Sequence, residues 1–343
     1  MSKAITLWIP DFLNKQRIME SEQAWSKLKL PALRTLLKKA DLFPTQSVLN
    51  KAPKDFYTTA STLFHQAQPL PIAATEAAAL LKDFNKNDFW LKLDPVQMMP
   101  DRDTLILIPA QDLAIKEAEA EALIKVFNQH FEQDKVQIEY GSPTDWFLRI
   151  KQPVDLKSTP LNRVAYRSIN AHYPTGHAAQ YWRQLLNEAS MLFFTHPINE
   201  HRRAQGKPEI NGLWLWGEGQ LDYTNLQVRA DAKIWSADSY LQGIANLAGA
   251  HSTDFPDTLQ ACLNSDAEHH LLMPSILNQS LSNLTQKQWL DSVEWLEKDW
   301  LAPLLKAVND REVHSLLLEL GDGYRYHIEP KHLKRFWRFK NRI

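Results

Sequence analysis

The sequence predicts a mixed α/β fold, a central mixed sheet with flanking helices, and three observations carry that reading. Short β-prone apolar runs alternate with longer helix-periodic stretches along the whole chain. Hydrophobic residues at 44% and charged residues at 23% over 343 positions are the composition of a globular chain with a large core. Glycine is scarce and clustered: residues 1–140 contain none, while Gly176, Gly206, Gly212, Gly217, Gly219, Gly243 and Gly249 crowd one window. Tight turns and close backbone approaches therefore concentrate in the second half.

Ile5-Thr6-Leu7-Trp8-Ile9, stopped by Pro10, reads as a first buried strand. Residues 22–86 read as helical pieces punctuated by Pro31, Pro44, Pro53, Pro69 and Pro71. Phe89–Leu93 and Thr104–Ile108 read as strands flanking the segment from Asp94 to Asp103. Leu123, Phe127 and Phe131 mark a helix over about 115–131, and Val136–Tyr140 with Trp146–Ile150 form a hairpin around Gly141. Residues 177–195 form a helix with the stripe Trp182, Leu185, Leu186, Ala189, Leu192 and Phe193. Its second stripe, Gln184, Asn187, Glu188, Met191 and Thr195, is mostly polar. Leu213–Trp216 is a strand ending in Gly217-Glu218-Gly219, and 239–248 is a short helix. Thr285 with Gln288 is a capping box opening a helix on Trp289, Val293, Leu296, Trp300 and Leu304. Val313–Leu320 and Tyr324–Ile328 close the chain as a hairpin around Gly321-Asp322-Gly323. Residues 151–175, richer in Pro, Ser and Thr, make the best boundary between an N-terminal α/β half, 1–155, and a C-terminal α/β half, 156–343, unless the two form one continuous domain.

Charge and cysteine narrow the function classes. Lys+Arg 39 against Asp+Glu 40 leaves −1, so no whole-chain field draws nucleic acid or anionic lipid. The single Cys262 excludes a disulfide framework and a cysteine-rich zinc module. The opening MSKAITLWIPDFLN lacks the long apolar core of a secretory signal, and no uncharged apolar run approaches a membrane span. A cytoplasmic location fits these features.

The densest constellation of candidate site residues runs from His196 through Asn199, Arg202, Arg203, Lys207 and Asn211 to Trp214, Trp216, Gly217 and Gly219. Arginine forks suit phosphate or carboxylate, and a Gly-x-Gly strand end lets backbone N–H groups face an anion. The alternative is a solvated loop: residues 196–211 are only slightly basic.

Asn187-Glu188 with Met191, His196-Pro197-x-Asn199-x-x-Arg202 and Asn211-x-x-Trp214-x-Trp216-Gly217-x-Gly219 resemble the RpfE-type bacterial regulatory proteins, a family described as related to cofactor-independent phosphoglycerate mutase. The resemblance takes in Asp94-Pro95, Asp101-Arg102-Asp103-x-Leu105, the segment Gly243–Gly249 and the ending Arg335-Phe336-Trp337-Arg338. Ser190 and Asp222 depart from it, standing where Gln and Pro are expected. It implies a reduced phosphoglycerate-mutase or alkaline-phosphatase-like fold. It also implies a ligand site at Asn187, Glu188, Asn199, Arg202, Asn211, Trp214, Trp216, Gly217 and Gly219.

Enzymes of that wider group use two metal ions, Asp/His ligands and a Ser or Thr nucleophile, because paired cations neutralise phosphoryl oxygens while a hydroxyl attacks. This chain offers Asp11 after the first strand with no following Gly, no Asp-His pair, and one adjacent pair, His269-His270. No metal site and no cofactor are therefore expected, Mg or Mn through carboxylates being the exception. Asp94, Asp101 and Asp103 around Arg102 either hold Mg²⁺ or cap turns.

Residues 331–343 carry six Lys or Arg and no acid, leaving −7 for residues 1–330. Their aromatics Phe336, Trp337 and Phe339 either stack bases or pack on the body. Three readings follow: a non-catalytic regulator binding a small phosphorylated or carboxylate metabolite or a protein; a metal-dependent mutase or other phosphotransferase; and a protein- or nucleic-acid-binding module acting through residues 331–343.

Overall fold

The computed structural model describes residues 2–45, 49, 56–64, 68–222, 232–274 and 285–338. Its strands are β1 (Lys3–Trp8), β2 (Asp41–Pro44), β3 (Phe89–Asp101), β4 (Thr104–Pro109), β5 (Ile138–Tyr140), β6 (Trp146–Ile150), β7 (Gly212–Gly219), β8 (Ala232–Trp235), β9 (His251–Thr253), β10 (His269–Leu272), β11 (Val313–Glu319) and β12 (Tyr324–Ile328). The chain folds as two compact units, one of Met1–Ala67 with Leu226–Ile343, the other of Gln68–Asn225.

The first unit is built on a seven-stranded sheet in the order β2-β12-β11-β1-β10-β8-β9. β11, β1, β10, β8 and β9 run parallel, and β12 and β2 close one side antiparallel. Parallel strands require helical crossovers that cover both faces, and the central strands β1, β10 and β11 carry buried Ile5, Leu7, Leu272, Leu316 and Leu318. Ile5, Leu7, Leu272, Leu316 and Leu318 pack against Leu33, Leu36 and Leu37 of the helix Pro31–Lys39 and against Trp289, Val293, Leu296, Trp300 and Leu304. The expected capping box at Thr285 and Gln288 forms, and a π-helical turn at Glu297–Leu301 keeps Trp300 and Leu301 inward as the helix continues to Asn309. The Glu297 carboxylate receives the Ala32 and Leu33 amides at 2.6 and 2.9 Å, capping the neighbouring helix from a distance.

The second unit is an antiparallel five-stranded sheet in which β3 pairs β4, β6 and β7. The helices Glu117–His130 and Ala179–Phe194 cover it with Leu123, Phe127, Trp182, Leu185, Ala189 and Phe193, the residues their periodicity assigned inward.

Asp41–Pro44, inside the stretch read as helical pieces, is the strand β2 paired with β12, and two expectations for the second unit also change. The boundary near 155 falls inside the second unit, because Val154 and Leu156 join the same core as Phe127 and Leu213. The stretch rich in Pro, Ser and Thr is a loop fastened by a Lys157–Thr175 bridge, not a linker. Asp94-Pro95 does not break a strand either. β3 runs straight through them to Asp101 and turns at Arg102, whose φ of 54° makes the hairpin to β4.

Candidate functional site

The second unit holds a buried charge cluster that joins a helix, two strands and a loop. Lys92 and Asp94 lie two apart on β3, hence on one face. Lys92 Nζ donates to Glu76 Oε2 at 2.5 Å, on the helix Ile72–Leu80, and to Asp145 Oδ1 at 2.6 Å, and stands 3.5 Å from Asp94 Oδ1. Asp145 is tied in turn to the Ser142 hydroxyl at 2.6 Å and the Thr144 hydroxyl at 2.9 Å. The Trp216 indole donates to Asp94 Oδ2 at 2.7 Å, and the ammonium sits 5.4 Å from the Trp216 ring centre.

Burial acts on Lys92 against the charged form, and the charges of Asp145, Asp94 and Glu76 outweigh it, holding the ammonium well above its usual pKa. Burial pushes Asp94 up to about 7, against the pull of Lys92. Burial acts the same way on Asp145, but Lys92 and its hydrogen bond overcome it, to about 2. Among the described residues Asp94 Oδ1 is buried with no hydrogen-bond partner.

The residues proposed from sequence for one pocket are distributed along the unit instead. Asn199, fully buried, donates to the Phe193 and Ile210 carbonyls at 2.8 Å each and accepts from the Ile210 amide at 2.8 Å. Arg202, also buried, donates to Pro208 O at 2.6 Å, to Glu119 at 2.8 Å and to Leu113 O. Asn211 brackets Met98 on β3, accepting from its amide at 2.7 Å and donating to its carbonyl at 3.1 Å. The Trp214 indole donates to Thr159 O at 2.9 Å. A strand rises roughly 3.3 Å per residue, so Asn211 and Gly219 stand about 20 Å or more apart along β7. Neighbours in sequence are not neighbours in an extended strand.

The Gly-x-Gly end of β7 lies against the start of the helix Ile72–Leu80. β7 carries one extra residue between Trp216 and Gly219 where β3 runs from Lys92 to Trp90, and Gly217, at φ 73°, forms that bulge. A Cβ on Gly217 would stand 3.3 Å from Ile72 Cβ, and one on Gly219 would strike Pro71 Cβ at 2.5 Å. These glycines let the helix Ile72–Leu80 approach the sheet. Glu218 holds the Ser158 amide at 3.0 Å.

Asn187 and Glu188 differ from the rest in facing outward. Glu188 pairs with His130 Nε2 at 2.6 Å on the surface. Asn187 lines an open cleft of about 620 Å³ together with Thr175, His177, Gln180, Arg183 and Gln184. Arg183 is held there by two hydrogen bonds to the Pro174 carbonyl, at 3.1 and 2.6 Å. Of the nine predicted ligand residues, Asn187 alone lines this cleft.

In the first unit the carboxyl ends of the described parallel strands, where α/β sheets usually take ligands, carry Asp11, Asp238, Asp254, Glu319 and Asp322. Asp238 caps the helix Ser239–Ala248 through the Leu241 amide at 3.0 Å. Asp322 accepts from the Tyr324 amide at 3.0 Å and from the Tyr326 hydroxyl. Glu319 stands 3.5 Å from Arg325 and accepts the Gly321 amide at 3.4 Å, and burial pushes it up to about 7 against the Arg325 charge. Asp11 is exposed. Among the described residues no group of three or more His, Cys, Asp or Glu side chains is placed to hold a metal ion. Asp238 and Asp322 each accept a backbone amide of the fold and Glu319 faces Arg325, so among the described residues these carboxylates do not gather into a two-metal ligand set.

The His269-His270 pair likewise serves the sheet. His270 accepts from the Trp235 indole at 2.9 Å and faces Ala267 O at 3.0 Å, and burial lowers it to about 4. Nor do Asp94, Asp101 and Asp103 converge, since Asp94 is buried in the cluster and the other two sit exposed at the β3–β4 hairpin.

No family model matches this chain. In sequence it is 25% identical, over 51% of its length, to a probable 2,3-bisphosphoglycerate-independent phosphoglycerate mutase of Geobacter sulfurreducens, covering 41% of that protein. It is 25% identical over 39% of its length to the enzyme of that name from Methanosarcina barkeri, covering 35% of it. The chain thus spans less than half the length of these curated relatives. In structure it resembles the PH0037 protein of Pyrococcus horikoshii, with TM-score 0.61 and 15% identity over 96% of this chain and 88% of that one. Among the described residues no helix is long and apolar enough to cross a membrane. The chain is thus similar over part of its length to 2,3-bisphosphoglycerate-independent phosphoglycerate mutases, and it has a mixed α/β fold like that of the PH0037 protein.

Proposed function

We propose that this chain is a non-catalytic regulatory protein of the RpfE type that keeps a phosphoglycerate-mutase-like fold and binds a small phosphorylated or carboxylate metabolite in the cytoplasm. One observation carries the non-catalytic part. At the strand ends where two-metal phosphoryl transfer would need a ligand set, Asp238, Glu319 and Asp322 are bonded within the fold. The anionic ligand is suggested by the substrates named for the curated relatives, which are phosphoglycerates. The cleft that suits it holds Arg183 beside the amides of Gln180, Gln184 and Asn187, a cation with several neutral donors. A protein partner remains compatible with a regulatory role, and the reading needs neither Mg nor Mn.

Isothermal titration of the metal-free chain with 3-phosphoglycerate tests this. Saturable binding, weakened at least tenfold by Arg183→Ala and by Asn187→Ala, supports the proposal. Binding indifferent to both substitutions, or none at millimolar ligand, rejects this cleft as the site.

A further inference from the structure

The C-terminal turn of the first unit is clamped to the sheet edge. Arg335 meets the Asp41 carboxylate with two parallel bonds, Nη1 to Oδ1 at 2.7 Å and Nη2 to Oδ2 at 3.0 Å. Arg338 reaches the same carboxylate, Nη2 to Oδ1 at 2.8 Å, and also donates to Ala40 O. Lys39 donates to the Arg335 carbonyl, and buried His332 stands 3.4 Å from Asp41 Oδ2. The Arg335 hydrogen bond holds the Asp41 carboxyl far below its usual range.

The two residues between the clamping arginines point the other way. Phe336 is 78% exposed and Trp337 60% exposed, with ring centres 5.2 Å apart and planes 86° from parallel. Clamping thus holds two large aromatics out in water, where their burial free energy is forgone. The surroundings are basic in a chain whose net charge is −1. Residues 34–41 and 329–338, joined by these bonds, contain seven Lys or Arg against two acids. Lys334 and Arg34 are exposed.

We infer that this turn is a docking surface for single-stranded nucleic acid, with bases stacking on Phe336 and Trp337 and phosphates drawn to the surrounding Lys and Arg. The ring faces look in two directions, which suits unstacked bases of a flexible strand. A membrane-surface segment would instead carry its apolar residues along one face of an extended helix, and the helix here is the four-residue Pro330–Leu333. Sequence reading set these aromatics against the body as the alternative. Among the described residues the arginines take that place and the rings are left out.

Fluorescence anisotropy of labelled oligo(dT) and oligo(U) 20-mers with the full chain tests the inference. Binding should weaken with added salt, the log–log slope being about −0.7 for each phosphate neutralised. Phe336→Ala/Trp337→Ala should weaken it at least tenfold, and Lys334→Glu should both weaken it and flatten the salt slope. Both substitutions lie at exposed positions, and an unchanged melting temperature confirms the fold. Three results overturn the inference: no binding at low salt; binding that heparin matches and the aromatic substitutions leave unchanged, which is charge alone; or phosphatidylserine-vesicle binding that depends on the two aromatics while oligonucleotide binding does not.

Discussion

Replacing Lys92 by Met tests the central electrostatic element of the second unit. The ammonium serves three carboxylates, Glu76 at 2.5 Å, Asp145 at 2.6 Å and Asp94 at 3.5 Å, and its side chain is 4% exposed. Met keeps the apolar stem and removes the charge, leaving Glu76 and Asp145 buried or half-buried without their cation. Breaking a buried pair in this way costs about 3–5 kcal/mol. The cost depends on pH in a definite direction. In the native protein Asp145 sits at about 2, below its unfolded value, so its contribution is present above that unfolded value and lost as pH falls through 2. Without Lys92 the buried carboxylates hold protons more tightly than in the unfolded chain, so the variant loses stability as pH rises. The gap between the two proteins is therefore widest near pH 8 and narrows toward pH 4–5. Native-state hydrogen exchange of the β3 and β7 amides reads it, since these strands meet at the cluster. A destabilisation below about 1 kcal/mol, or one constant from pH 5 to 8, would refute the reasoning.

Two further outcomes follow from the same structure. Gly217→Val should cost at least about 1–3 kcal/mol, because φ is 73° and Ile72 crowds the new side chain, with chemical denaturation as the readout and a loss below about 0.5 kcal/mol as the contrary result. Glu319 holds its proton to about pH 7 in the fold, above its unfolded value, so between about 4.3 and 7 it makes stability fall as pH rises, by up to about 1.4 kcal/mol per unit. Glu319→Gln should remove that share, its stability relative to the parent improving from pH 5 to 8; an equal difference at both pH values contradicts the assignment.

Much of the architecture was legible because it is local. The stripes of the helices Glu117–His130 and Ala179–Phe194, the cap at Thr285 and the hairpin around Gly321 are all written within a few residues. The division into units was not, because it depends on Gln68–Asn225 lying between two segments that share one sheet. Composition marked residues 151–175 instead, a loop of that inserted unit. The candidate site was legible in residue type and misleading in role. Asn199 and Arg202 have the chemistry of ligand contacts, and the same donors satisfy buried carbonyls. Lys92 and Asp94 announced themselves only as charges within an apolar strand, while their partners Glu76 and Asp145 lie 16 and 53 residues from Lys92.

The most direct test of the non-catalytic reading is interconversion of 2- and 3-phosphoglycerate by the purified chain after loading with Mn²⁺. Two-metal phosphoryl transfer needs ligands that hold the cations about 4 Å apart, and Asp238, Glu319 and Asp322 are bonded elsewhere. The account predicts no turnover above the metal-only background. Robust turnover that disappears in Asp11→Ala would contradict it and make this chain a working mutase.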